Sequence, residues 1–175
     1  VDVDVNGTEA EFSGTNTVRN FSSAADSASL TFSGSGNNIT AFSASGADDE
    51  IIFSGNNSFG SFSAGGNGSE ITFAGANSFT ELGLEGKGIT VRFGEGKTQT
   101  VAAIKSEGAA GNENLLTTTA AAPSKDNRAT WWKINLGSIP GHEDFHDTLI
   151  EYSESVTDLT HAWGDDVKEK VKGST

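Results

Sequence analysis

The chain of 175 residues has no cysteine and no methionine, and its 11 lysines and arginines stand against 24 aspartates and glutamates. Without cysteine no disulfide holds the fold, which leaves stacking and burial to do so. A formal net charge of -13 repels a nucleic-acid backbone and an anionic membrane surface. No apolar run is long enough to span a bilayer, so membrane insertion is not expected. Amphipathic stretches of helical-repeat length are missing before residue 159, and so is a leucine-dominated repeat consensus. The chain opens at Val1 without an initiator methionine or a visible signal peptide, which reads as a processed product or an excised domain.

Although hydrophobic residues make up only 34%, they are placed with unusual regularity. Phe12, Phe32, Phe53, Phe73 and Phe93 recur every 20 or 21 residues. Three further rows keep step: Val18, Ile39, Phe59 and Phe79; Phe21, Phe42, Phe62 and Leu82; Leu30, Ile51, Ile71 and Val91. A fixed period of this size marks a solenoid. Pairs such as Leu30-Thr-Phe32 and Ile71-Thr-Phe73 alternate with period two, the inward face of a short strand. The expected fold is therefore all-β, a parallel β-helix with coils of about 20 residues. Each coil adds roughly 4.8 Å of rise and sets one Phe on the next.

The turns repeat as faithfully. Gly14, Gly34, Gly55 and Gly75 align, which calls for a positive φ or a close approach between backbones. Asn16, Asn37, Asn57 and Asn77 also align once one insertion near Gly36 is allowed. Identical Asn side chains at strand spacing can form an axial hydrogen-bond ladder, although Asn is also common in tight turns for local reasons.

Regularity ends near Phe93. From 94 to 138 the spacing predicts wider coils carrying Val101, Ile104, Leu115 and Leu116, a polar excursion over 120–128, and a strand that faces Trp132, Ile134 and Leu136 inward. Residues 139–175 are expected to hold a last coil, with Leu149 to Tyr152 and Val156, and a short helical or irregular cap. Trp163, Val167 and Val171 space like one face of a helix over 159–172. The alternation Val1, Val3, Val5 reads as a first coil or as a strand that docks on a neighbouring molecule.

The order Phe93-Gly-Glu-Gly-Lys-Thr, Val101-Ala-Ala-Ile104, Gly108 to Gly111, Leu115 to Thr119 and Trp132-Lys-Ile-Asn-Leu136 resembles a pattern in bacterial secreted β-helix proteins. These include filamentous-haemagglutinin-like and autotransporter-passenger adhesins and related surface proteins. The resemblance covers about 90–138 well and the Phe-Ser-Gly coils loosely. It implies a right-handed parallel β-helix exported to the cell surface, an extracellular location, and a role as stalk or scaffold. It names no ligand.

Several constellations bear on chemistry. His142-Glu-Asp-Phe-His146 matches the His-Glu-x-x-His zinc pattern, which needs a helix to bring both imidazoles to one face. Pro140 and Gly141 immediately before it argue against that helix, so zinc at His142 and His146 is a weak candidate. Gly65-Gly-Asn-Gly-Ser-Glu70 resembles a calcium-binding β-roll nonapeptide with Glu in place of Asp, and Asp48 and Asp49 occupy the corner one coil earlier. Calcium at Asp48, Asp49 and Glu70 is a second weak candidate, with a solvated acidic corner as its rival. Sequons begin at Asn6, Asn20, Asn38, Asn56 and Asn67, permitting glycosylation after export. No converged acid or cation cluster appears on an inward strand face, so no catalytic residue is assigned and an enzyme is not expected.

The leading expectation is a non-enzymatic extracellular structural protein, a β-solenoid that self-associates end to end or by strand exchange at Val1, Val3 and Val5 into a fibre. An adhesin fragment binding glycans or proteins through the wider coils is the alternative, and a polysaccharide-active β-helix enzyme the remote one. No cofactor is expected beyond the calcium candidate.

Overall fold

The protein is described here by a computed structural model, which covers residues 1–124, 126–137 and 145–155. Every repeat contributes one strand to each of two parallel sheets. The first sheet runs through β1 (Asp2–Val3), β3 (Thr17–Ser23), β5 (Asn37–Ala44), β7 (Asn57–Ala64), β9 (Ser78–Leu84), β11 (Thr98–Glu107), β13 (Trp132–Leu136) and β16 (Ser153–Ser155). A short strand, β14 (Phe145–His146), also pairs with β11. The second sheet runs through β2 (Glu9–Phe12), β4 (Ser29–Phe32), β6 (Glu50–Phe53), β8 (Glu70–Phe73), β10 (Thr90–Phe93), β12 (Asn114–Thr118) and β15 (Thr148–Ile150). All pairings are parallel, and Leu30 sits over Ile51, Ile51 over Ile71 and Ile71 over Val91. The expected β-solenoid with a repeat near 20 residues is what forms.

The core explains why these residues choose this register. Alternate side chains of both sheets point into one channel, where Leu30, Ile51, Ile71 and Val91 are fully buried. Phe12, Phe32 and Phe53 stack at 4.6 Å between ring centroids, and Phe53–Phe73 and Phe73–Phe93 follow at 5.3 and 5.8 Å. A second column, Phe21, Phe42 and Phe62, stacks at 4.7 and 4.9 Å and meets the first edge-on. Offset stacks along the axis and edge contacts across it satisfy the ring quadrupoles in both directions. A one-residue slip would turn both columns out to water, so the register is strongly specified.

Beyond Phe93 the columns change content. Thr118 takes the next place above Phe93, and its hydroxyl donates to the Thr130 carbonyl at 2.7 Å. Trp132 enters from the facing sheet and lies 4.4 Å from the Phe93 ring, filling the room a smaller Thr leaves. Trp132, Ile134 and Leu136 are buried, as expected. The excursion after Thr119 is not merely a polar loop. It carries a short 3-10 helix, Arg128–Thr130, and buries Trp131, whose indole N–H donates to the Ser124 carbonyl at 2.9 Å. The last described strands, β15 and β16, continue the two sheets, so the coil expected over Leu149 to Tyr152 runs on in register there, and Val156 lies outside the described residues. The helix expected over 159–172 lies outside the described residues.

Candidate functional site

The aligned asparagines form a continuous ladder. Each Oδ1 accepts from the side chain and from the backbone N–H of the coil before it. Asn16 Nδ2 donates to Asn37 Oδ1 at 2.8 Å, Asn37 Nδ2 to Asn57 Oδ1 at 2.7 Å, and Asn57 Nδ2 to Asn77 Oδ1 at 3.1 Å. The backbone N–H groups of Asn16, Asn37 and Asn57 reach the same oxygens at 2.8, 3.3 and 2.8 Å. Gln99 completes the series, accepting from Asn77 Nδ2 and returning its own Nε2 to the Gly75 carbonyl at 3.0 Å. The place above Gln99 belongs to Ile134, which has no amide, so the ladder is finished at that end. Its members from Asn37 to Gln99 are buried.

A second polar column lies at another corner. Asp49 Oδ1, Ser69 Oγ and Asn114 Oδ1 accept the backbone N–H of Ala28, Asp49 and Ile89 at 2.9, 3.2 and 2.9 Å. Ser69 and Asn114 also donate to carbonyls of the preceding coil, Gly46 at 3.4 Å and Gly86 at 3.0 Å. An ionised Asp49 has no proton to donate in that manner, and its buried Oδ2 has no partner. Burial raises the Asp49 carboxyl to a pKa of about 6; the Ala28 N–H opposes the rise, and Asp26 and Asp48 add to it.

The metal candidates do not converge. Asp49 points into the core, Asp48 occupies a left-handed corner at φ 57°, and Glu70 is held at 2.6 Å by Arg92 on the outer face of the second sheet. Among the described residues no group of three His, Cys, Asp or Glu side chains is placed to hold a metal ion. His146 stands exposed on β14, a strand rather than the helix that the zinc pattern needs; His142 lies outside the described residues.

The glycine column acts through close approach rather than torsion. Of Gly14, Gly34, Gly55 and Gly75 only Gly14 has a positive φ. A Cβ on Gly34 would collide with the Gly14 carbonyl. The sequence reading missed a second column of this kind, in which a Cβ on Gly66 would collide with the Gly46 carbonyl. The shared period of Gly46, Gly66 and Gly86 was the available signal.

Two surfaces remain. A shallow open groove of about 420 Å³ runs along the axis, lined by Asn38, Asn56, Ser58, Ser78 and Thr100 among others, with no charged side chain. The other is the N-terminal end of the stack. Asp2 pairs with Ser22 and Val3 with Ser23, so the start of the chain is already laid against β3. The Val1 amino group donates to the Asn20 carbonyl at 2.8 Å, and Ser22 N–H to the Val1 carbonyl at 2.8 Å. Val1 and Val5 remain 57% and 71% exposed. β2 is the terminal strand of its sheet, and Ala10, Phe12 and Val18 are the core positions left only partly buried. No family model, no curated protein and no solved structure matches the chain.

Proposed function

We propose that this chain is a non-enzymatic extracellular structural protein, a β-solenoid subunit that assembles end on into a cell-surface fibre. The observation that carries the reading is the axial stack itself, in which coil after coil repeats the same aromatic columns and the same amide ladder in register. A stack of like coils suits a heterologous end-on contact, which propagates when it does not close. Among the described residues the interior strand faces are filled with Phe, Ile and Leu, which supports a scaffold.

Electron microscopy of the purified chain over a concentration series tests the reading, beside a variant lacking residues 1–5. Filaments that lengthen with concentration are the expected result. Since Asp2 and Val3 already pair with β3 of their own chain, the truncation is expected to alter assembly by exposing more of β3, not to abolish a donor. Single particles at every concentration, together with glycan binding, would replace the fibre with the adhesin reading. The uncharged groove of amides and hydroxyls supports that second reading, because neutral sugars are held by such groups.

A further inference from the structure

We infer that Asp49 is a pH-operated latch between two neighbouring coils, closed when its carboxyl is neutral and donates to the Ala25 carbonyl, and opened when it ionises. Such a latch works whether or not copies assemble end on.

The column in which Asp49 stands shows how the latch is built. Ala28, Asp49, Ser69, Ile89 and Asn114 follow one another at one inward corner. Ser69 and Asn114 each make the same two bonds. Each accepts a backbone N–H from the coil before it, Asp49 or Ile89, and donates to the carbonyl three residues earlier in that coil, Gly46 or Gly86. Asp49 makes the first bond, to Ala28 N–H. Three residues before Ala28 is Ala25, whose carbonyl meets no other donor among the described residues. Gly46, in the coil of Asp49, lies so close over that carbonyl that a Cβ on it would collide with the oxygen. An ionised Asp49 has only acceptors to offer here, and its Oδ2 is left without a partner in a side chain 1% exposed. One proton on Oδ2 supplies the missing donor and repeats the bond pair of Ser69 and Asn114.

The surroundings oppose the charge. Burial lifts the carboxyl to a pKa of about 6 against the Ala28 N–H, and Asp26 of the preceding coil and the adjacent Asp48 add to the rise. The flanking strands bring Ser29 and Thr31 on β4, Glu50 on β6 and Glu70 on β8, with Glu70 engaged by Arg92 on the outer face. The closed state therefore holds the proton more tightly than an open one, and closure weakens as pH rises through 6.

The backbone of the same two coils is strained beside the latch. Gly7, Gly68 and Gly88 fill the left-handed corner in other coils, whereas Ser27 and Asp48 hold it at φ 57°. A serine there is less at ease than a glycine or an aspartate. Strain and a buried acid coincide where residues 25–28 meet 46–49, so ionisation is relieved by parting those segments while the rest of the stack stays closed.

Two measurements on the intact chain test this: a carbon-13 titration of the Asp49 carboxyl, and amide hydrogen exchange at pH 5 and pH 8, expressed as protection relative to the unfolded chain. The titration should show a midpoint near 6, and protection at Ala28 should fall about tenfold between the two pH values. Ile89, whose N–H is held by the neutral Asn114, should keep its protection, and Asp49→Asn should keep Ala28 protected at both. A midpoint in the ordinary carboxylate range would overturn the latch, as would unchanged protection at Ala28 or an equal loss at Ile89. Persistence of the pH dependence in Asp49→Asn would overturn it too, by assigning the effect to Asp26 or Asp48. The titration needs no variant, so the latch remains falsifiable if Asp49→Asn fails to fold.

Discussion

The coils up to Phe93 and those after it hold together in different ways. In the first region stability is a column property: Phe stacks on Phe, Asn bonds to Asn, and each rung does the same work as its neighbours. In the second, contacts are made once. Trp132 plugs the space beside Phe93, Trp131 is pinned to Ser124, and Ser106 gathers the side chains of Asn114 and Thr148 at 3.2 and 2.8 Å. A repeated column can be extended by any molecule that carries the same rung, whereas a set of unique plugs closes on itself.

The largest effect should come from breaking the tight spacing of the regular coils. Gly66→Val drives a side chain into the Gly46 carbonyl and can be relieved only by parting two coils, so a loss above about 4 kcal/mol, or failure to fold, is expected in chemical denaturation. Second comes the ladder itself. Asn57→Leu strands the donors of Asn37 inside the stack and should cost about 3 kcal/mol, while Asn16→Leu at the half-exposed first rung should cost about 1 kcal/mol because water replaces what is lost. Equal costs would remove the distinction between buried and half-exposed rungs.

Third, Asp49 is a place where the regular half departs from its own pattern. Its folded pKa of about 6 lies above the ordinary carboxyl value of 3.8, so the folded chain binds the proton more tightly than the unfolded one. Stability should therefore fall as pH rises from about 4 through 6, contrary to the usual acid denaturation of a salt-bridged carboxylate. Asp49→Asn keeps the acceptor for Ala28 and adds a donor, as Asn114 has, and should raise stability by about 2 kcal/mol at pH 8 while flattening that dependence. Melting curves at pH 4 and pH 8 decide it. The smallest effect is at Ser23, whose buried hydroxyl has no partner in a column whose next two members are Ala44 and Ala64. Ser23→Ala should stabilise by about 1 kcal/mol in the same assay.

Much of this molecule was legible in its sequence because a solenoid writes its contacts at a fixed offset. The Phe and Ile rows, the Asn ladder and the inward face of Trp132 followed from period alone. Interior chemistry at single positions did not. Asp49 looked like part of a solvated or calcium-binding corner, since a sequence offset says which residues stack but not which way a corner side chain turns. Gln99 was not recognised as the last rung because its longer side chain reaches the ladder from a position where Asn was sought. Trp131 lay next to an alternating strand and was assigned no partner, and only the 3-10 turn at Arg128–Thr130 shows why it is buried. Val1, Val3 and Val5 read as a first coil or as a donor strand, and the pairing of Asp2 and Val3 with β3 of the same chain fits the first coil, a choice that alternation alone did not make.

The most direct test compares hydrogen exchange of residues 9–21 with that of their register mates, residues 29–42, in the free chain. The account predicts rapid exchange at the first segment and slow exchange at the second, including the Asn37 side-chain amide. Equal protection of both would contradict it, because the half-buried Phe12, Asn16 and Val18 would then be held as tightly as their buried register mates.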